Sequence, residues 1–224
     1  MIAARDVRLV LEGRTILDGV SFDVARGESI ALVGANGSGK TSMLRCLLGF
    51  VPFAGRVTIE GHDVVRDGVV VRSLVGYVPQ RAAFGDASAA EVLAFVATLR
   101  RIEPRRIDVM LDLVGLAAHA RDRVRTFSGG MVQRLALAVA LLPDPPVVLF
   151  DEPSANLDRD GQRLFYDLVA RLRAGGHTLL LASHRREEVE SLTDRLLHVD
   201  WGRLVAAPTP SARVVPFPAR GERR

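Results

Sequence analysis

Residues Gly34-Ala35-Asn36-Gly37-Ser38-Gly39-Lys40-Thr41 place three glycines, a lysine and a hydroxyl within eight positions. They fit G-x-x-x-x-G-K-[ST], the pattern of a phosphate-binding loop. Glycines let successive backbone N–H groups turn inward as an anion cradle, and a helix opening at Thr41 adds the positive end of its dipole. Gly34, Asn36, Gly37, Ser38, Gly39 and Ser42 are expected to line that cradle. Lys40 should reach the β- and γ-phosphates of a nucleotide, and Thr41 should hold Mg²⁺. Of the 30 lysines and arginines, Lys40 is the only lysine. A compact ammonium suits a phosphate cradle better than the wide guanidinium fork used everywhere else in the chain.

A second group lies far downstream. Val147 to Phe150 is wholly apolar and runs into Asp151-Glu152-Pro153, so two carboxylates are expected at the end of a buried strand. There Asp151 can meet the Mg²⁺ of Thr41 through water, and Glu152 can act as general base or orient water for attack on the γ-phosphate. Ser128-Gly129-Gly130 precedes a helical pattern and reads either as a plain N-cap with a glycine turn or as another N-terminus suited to an anion. Gln80 follows a short apolar strand, and His184 ends another. By themselves, Gln80 reads as a surface glutamine and His184 as a satisfied polar residue at a strand end. His62, His119, His177 and His198 share no spacing.

These residues need strands to carry them. Alternating or fully apolar runs predict strands over 7–11, 20–24, 30–33, 56–60, 74–78, 147–150 and 178–182, with a hairpin of 195–199 and 203–205 around Gly202. Helical spacing predicts helices over 41–48, from a capping box at Ser88 and Glu91, from Pro104 to near Gly115, about 130–142, 159–173 and 187–192. Residues 121–126 read as a polar connector. Alternating strands and helices define an α/β fold with a mostly parallel sheet, its site at the carboxyl ends of the strands. A helical block at about 83–143 is inserted between two of them.

Composition narrows the classes. The chain has 224 residues, 48% hydrophobic and 25% charged, ordinary for a globular protein and enough for a sizeable core. No apolar run approaches the roughly 18 residues needed to span a bilayer. Residues 1–10 carry Arg5, Asp6 and Arg8 and do not read as a signal peptide. The single cysteine, Cys46, cannot form an internal disulfide and reads as a buried, inert thiol. Most of the net charge of +4 comes from Arg213, Arg220, Arg223 and Arg224 against Glu222 in a proline-rich tail over 207–224, expected to be disordered. The nearly neutral body argues against a nucleic-acid partner.

The order of these motifs resembles that of ABC-type ATPase domains: phosphate loop, Gln80, Ser128-Gly129-Gly130, Asp151-Glu152, Asp158 and His184. The resemblance covers residues 1–206. It implies a P-loop NTPase (RecA-like) fold with an N-terminal antiparallel β subdomain and an inserted α-helical subdomain. It further implies that Gln80 touches Mg²⁺ or the lytic water, that Ser128, Gly129 and Gly130 contact a γ-phosphate on a partner subunit, and that His184 bonds the γ-phosphate. Asp158 closes a loop coupling two sites. The implied activity is Mg²⁺-dependent ATP hydrolysis by a dimer, a homodimer or a heterodimer. The dimer would dock on an integral membrane permease at the cytoplasmic face, and Ala182-Ser183-His184 with Glu187-Glu188-Val189-Glu190 resembles exporter-associated cassettes, which implies export. A soluble ABC-type ATPase working on ribosomes or DNA is the alternative, although the chain lacks the second cassette or long coiled coil such proteins usually carry. Two departures stand out. Met131 occupies the place of the family's glutamine after the glycines, and no aromatic precedes Phe22 to stack on adenine, so weak recognition of the base is expected.

Overall fold

The computed structural model describes residues 1–185 and 189–206. Part of the expected helix over 187–192 and the whole tail lie outside these residues. Strands β1 (Ile2–Leu11), β2 (Arg14–Val24), β4 (Ala54–Ile59) and β5 (His62–Asp63) form an antiparallel sheet in the order β2-β1-β4-β5. Strands β3 (Ser29–Val33), β6 (Val75–Val78), β7 (Val147–Asp151), β8 (Thr178–Ser183), β9 (Arg195–Asp200) and β10 (Arg203–Val205) form a second sheet, β10-β9-β3-β8-β7-β6. It is parallel throughout except for the β9–β10 hairpin.

Every residue of β3, β7 and β8 is buried, as expected of parallel strands covered on both faces. The two-residue period then divides their side chains between two cores. Ala31, Val33, Val148, Phe150, Leu179 and Leu181 pack with α6 (Arg159–Ala174) and α5 (Gly129–Leu141). Ile30, Leu32, Val147, Leu149, Leu180 and Ala182 pack with α1 (Lys40–Leu47) and the antiparallel sheet. The chain between β6 and β7 contains α3 (Ala89–Arg100), α4 (Arg105–Leu113) and α5. The capping box of α3 is present: Ser88 accepts from the Glu91 N–H, and Glu91 accepts from the Ser88 N–H. Cys46 is fully buried, and burial pushes its thiol up to about 12.

Several boundaries differ from expectation. The first two strands are longer than their regular alternation, because register shifts between Ala4 and Val10 interrupt the period without ending the pairing. Residues expected to begin a strand at 74 instead close α2 (Gly68–Leu74), and the strand starts at Val75. Three consecutive valines make α2 a poor helix by propensity. It is held by its context, burying only Val71 while Val69 and Val70 stay exposed. The connector at 121–126 contains a 3₁₀ turn at Val124–Thr126.

Phe150 and Phe165 meet edge to face with ring centroids 5.5 Å apart, both fully buried between the sheet and α6. Phe165→Ala should lower unfolding free energy by about 3–5 kcal/mol in urea titrations.

Candidate nucleotide site

The sheet order brings the candidate residues together. β8 lies between β3 and β7, with Val33 opposite Ser183 and Asp151 opposite Ala182; β6 flanks β7 with Val78 opposite Phe150. The phosphate loop, His184, the carboxylate pair and Gln80 therefore all leave the carboxyl edge of one sheet.

Between β3 and α1 the loop turns through Gly39, the N-cap of α1, at φ 111° and with no side chain capping the helix. Asn36, Gly37 and Gly39 of that turn line the cleft beside the N-terminus of α1, as an anion site requires. Gly34 is needed for space: a Cβ there would lie 2.2 Å from the Val199 carbonyl and 2.6 Å from Ser38 Oγ. Lys40 is 5% exposed, and its ammonium donates to the carbonyls of Gly34 at 2.7 Å and Ala35 at 3.1 Å. Its charge is met by Glu152 Oε1 at 3.6 Å. Ser38 Oγ is buried with no hydrogen-bond partner among the described residues, a donor left for a ligand. Asn36, Gly37, Gly39, Lys40, Thr41, Ser42, Gln80, Glu152 and Ile16 line a cleft of about 480 Å³.

Behind the cleft, Thr41 Oγ1 donates to Asp151 Oδ1 at 2.9 Å, and Tyr77 Oη stands 3.4 Å from Asp151 Oδ2. Burial is the largest influence on Asp151 and pushes its carboxyl above the ordinary value; the Thr41 hydrogen bond opposes this, and the charge of Glu152 adds to it. Burial and the Asp151 charge push the Tyr77 phenol up to about 12, so it remains a donor. Glu152 sits at φ 48°, a left-handed conformation uncommon outside glycine. Its N–H is held by the Ala182 carbonyl at 2.9 Å, and its Oε2 lies 2.8 Å from His184 Nδ1. This donor set suits a phosphate and a hard cation: backbone N–H groups, an ammonium and two hydroxyls, beside a carboxylate whose burial favours a positive neighbour.

Other expected residues lie outside the cleft lining. Ser128 caps α5, accepting from the Met131 N–H, and both Ser128 and Gly129 are exposed. A Cβ at Gly130 would come 3.3 Å from the Asn156 carbonyl, so this N-terminus sits beside the loop that follows Glu152. Asp158 caps α6 by accepting from the Gly161 N–H at 2.8 Å. Asn156 Nδ2 reaches the Gln80 carbonyl at 3.3 Å, and buried Gln133 Nε2 reaches the Pro79 carbonyl at 3.2 Å. Sequence reasoning missed Tyr77, Ile16 and Gln133, while Asn156 falls within the loop Ser154 to Asp158 expected to couple two sites. Tyr77 alone had a visible signal, a polar tip within an otherwise apolar strand.

An α/β sheet with this loop, lysine and carboxylate pair at its carboxyl edge defines a P-loop nucleotide hydrolase. The family described as "ABC transporter" matches residues 17–155. "Daunorubicin resistance ATP-binding protein DrrA3" of Streptomyces coeruleorubidus is 39% identical over 199 residues, covering 86% of this chain and 63% of that protein. "Linearmycin resistance ATP-binding protein LnrL" of Bacillus subtilis is 32% identical over 215 residues, covering 93% and 69%. The chain thus spans about two thirds of the length of these curated relatives. Among solved structures, "Structure of ATP binding subunit of ABC transporter" superposes with a TM-score of 0.86 at 25% identity, covering 92% of this chain and 88% of that one. A bacterial Atm1-family ABC exporter with ATP bound superposes with a TM-score of 0.82 at 28% identity, covering 92% and 38%. The chain belongs to the ABC transporter family and carries its ATP-binding, ATP-hydrolysing domain.

Asp151 yields a test on the free protein. Because its folded pKa is raised, the folded state holds this proton more tightly than the unfolded one. That contribution to stability is present below the unfolded value and is lost as pH rises through the folded value. Asp151→Asn should therefore raise the melting temperature of the metal-free, nucleotide-free protein at neutral pH. The gain should shrink as pH falls towards the ordinary carboxylate range, as read by calorimetry.

Proposed function

We propose that the chain is the energy-supplying ATPase of an exporter. It binds ATP with Mg²⁺, pairs with a second ATPase subunit, and drives an integral membrane permease from the cytoplasmic face. The carrying observation is the division of the site. The cleft holds Lys40, Thr41, Gln80 and Glu152, while Ser128, Gly129 and Gly130 line no part of it among the described residues and face outward beside Asn156. A γ-phosphate seated at Lys40 therefore lacks its serine-glycine partner until a second subunit supplies one. That geometry supports nucleotide-driven closure of two chains around two ATP molecules.

Within one chain, Lys40 and the loop N–H groups bind the phosphates. Thr41 and Asp151, with Gln80 at the rim, would hold Mg²⁺, which when bound offsets phosphate charge. Glu152 accepts the proton of the attacking water, and His184 orients that carboxylate from the exposed side of the cleft. Asp158, through its cap on α6, shapes the loop that joins the two half-sites. Export as the direction is supported by relatives named for drug resistance and by "Nod factor export ATP-binding protein I" of Paraburkholderia xenovorans, 38% identical over 218 residues.

Glu152→Gln should keep ATP binding and lower hydrolysis by about 10²–10⁴-fold, the range for a lost general base. Copurified with ATP from detergent-solubilised membranes of its native host, this variant should bring down a polytopic membrane protein. Recovery of ribosomal or DNA-associated proteins alone would overturn the transporter reading in favour of a soluble ATPase. With Ile16 in place of an aromatic at the cleft, ATP and GTP should compete with similar affinities for the wild-type chain. A strong preference for ATP would count against weak base recognition.

A further inference from the structure

Asp151 is 2% exposed and has two side-chain neighbours with hydroxyls, on opposite oxygens. Thr41 takes Oδ1. Tyr77 faces Oδ2 from β6, where it is registered beside Leu149, two residues before Asp151 on the neighbouring strand. The rest of β6 is Val75, Gly76 and Val78, so the phenol is the one polar side chain that strand offers to the interior. A half-buried tyrosine there needs a partner for its hydroxyl, and Asp151 is that partner.

The ring is held from its other side. Phe50 meets it edge to face with centroids 6.3 Å apart and planes at 80°. Together with Phe50, Leu99 and Val139, the ring also lines a surface groove of about 250 Å³. Tyr77 thus spans from that groove to the carboxylate, with its ring fixed by packing and only its oxygen touching the site.

We propose that Tyr77 is a positioning residue for the cation site: its hydroxyl fixes the rotation of the Asp151 carboxylate, so that Oδ1 stays on Thr41 and the pair is preset for Mg²⁺. A carboxylate turns through a broad, roughly twofold torsion, which one donor on one oxygen does not restrain well. Donors on both oxygens select one orientation. The 3.4 Å separation marks a weak bond, which is adequate for choosing between orientations. The proposal rests on the reading of Asp151 as a metal-binding carboxylate. Removing a group that orients a ligating side chain typically weakens metal affinity or activity by about 10–100-fold.

Tyr77→Phe deletes the oxygen and keeps the ring. ATP affinity is measured by titration calorimetry with Mg²⁺ and with EDTA for wild type, Tyr77→Phe and Asp151→Asn, alongside Mn²⁺ binding by electron paramagnetic resonance and thermal melting. Tyr77→Phe should lose about tenfold of the metal-dependent gain in affinity and should bind Mn²⁺ correspondingly more weakly. Its EDTA affinity and melting temperature should match wild type. Full retention of the metal-dependent gain, or an equal loss with and without metal, would overturn the role of Tyr77. If Asp151→Asn also kept the gain, the metal reading itself would fall, and the proposal with it. Loss in Asp151→Asn with retention in Tyr77→Phe sinks the tyrosine alone.

Discussion

The site depends on keeping one buried cation beside buried carboxylates. Lys40 and Glu152 are 5% and 7% exposed and lie 3.6 Å apart, with Asp151 next in the chain. Charges withdrawn from water are costly unless each finds a partner of opposite charge or several hydrogen bonds. Here the partners come from separate elements: the ammonium from the start of α1, the carboxylates from the end of β7, the imidazole from the end of β8. They meet only if β3, β8 and β7 are adjacent and in the observed register. A slip of one residue would turn Asp151 towards the opposite core.

That register is secured away from the charges. The alternation of Ile30, Leu32 and Leu180 against Ala31, Leu179 and Leu181 commits each strand to two different cores. The β9–β10 hairpin is tied in behind the loop: the Gly202 N–H donates to the Ser38 carbonyl at 2.9 Å, and the Gly202 carbonyl accepts from the Asp18 N–H at 2.9 Å. The phosphate loop is therefore clamped between the hairpin and β2. Its shape is set by close backbone approach, which is why Gly34 tolerates no Cβ.

Much of this was legible in the residues. The loop pattern, the apolar run before Asp151-Glu152 and the capping box at Ser88 each encode local geometry, and each formed where its chemistry required. Less legible were features that depend on tertiary contact. The glycine and three valines of Gly68-Val-Val-Val-Arg-Ser-Leu weigh against a helix, yet α2 forms there, between β5 and β6 in the chain. Asp158 was expected to close a loop coupling two sites, and the role of its carboxylate as the cap of α6 carried no separate signal. Tyr77 could be placed on a strand from its period, but its approach to Asp151 needs the β6–β7 register, which no local pattern supplies. The 3.6 Å contact between Lys40 and Glu152 likewise joins residues whose separation in sequence carries no signal.

The same packing accounts for the separation of Ser128, Gly129 and Gly130 from the cleft. Ser128 and Gly129 are exposed because α5 must direct its apolar face, from Leu135 to Leu141, into the core beneath β6 and β7. With the C-terminal half of the helix so anchored, its N-terminus is left pointing outward beside Asn156. That N-terminus carries orphan N–H groups with a preference for negative charge. The phosphate loop of the same chain opens on a different cleft. Two preorganised anion sites that do not face each other within one molecule can both be satisfied by one phosphate only across two molecules. In the proposed dimer, association would draw on the nucleotide's own charge, and loss of the γ-phosphate would remove the shared ligand. The proposed cycle of closing and opening would in this sense be a consequence of where α5 is buried.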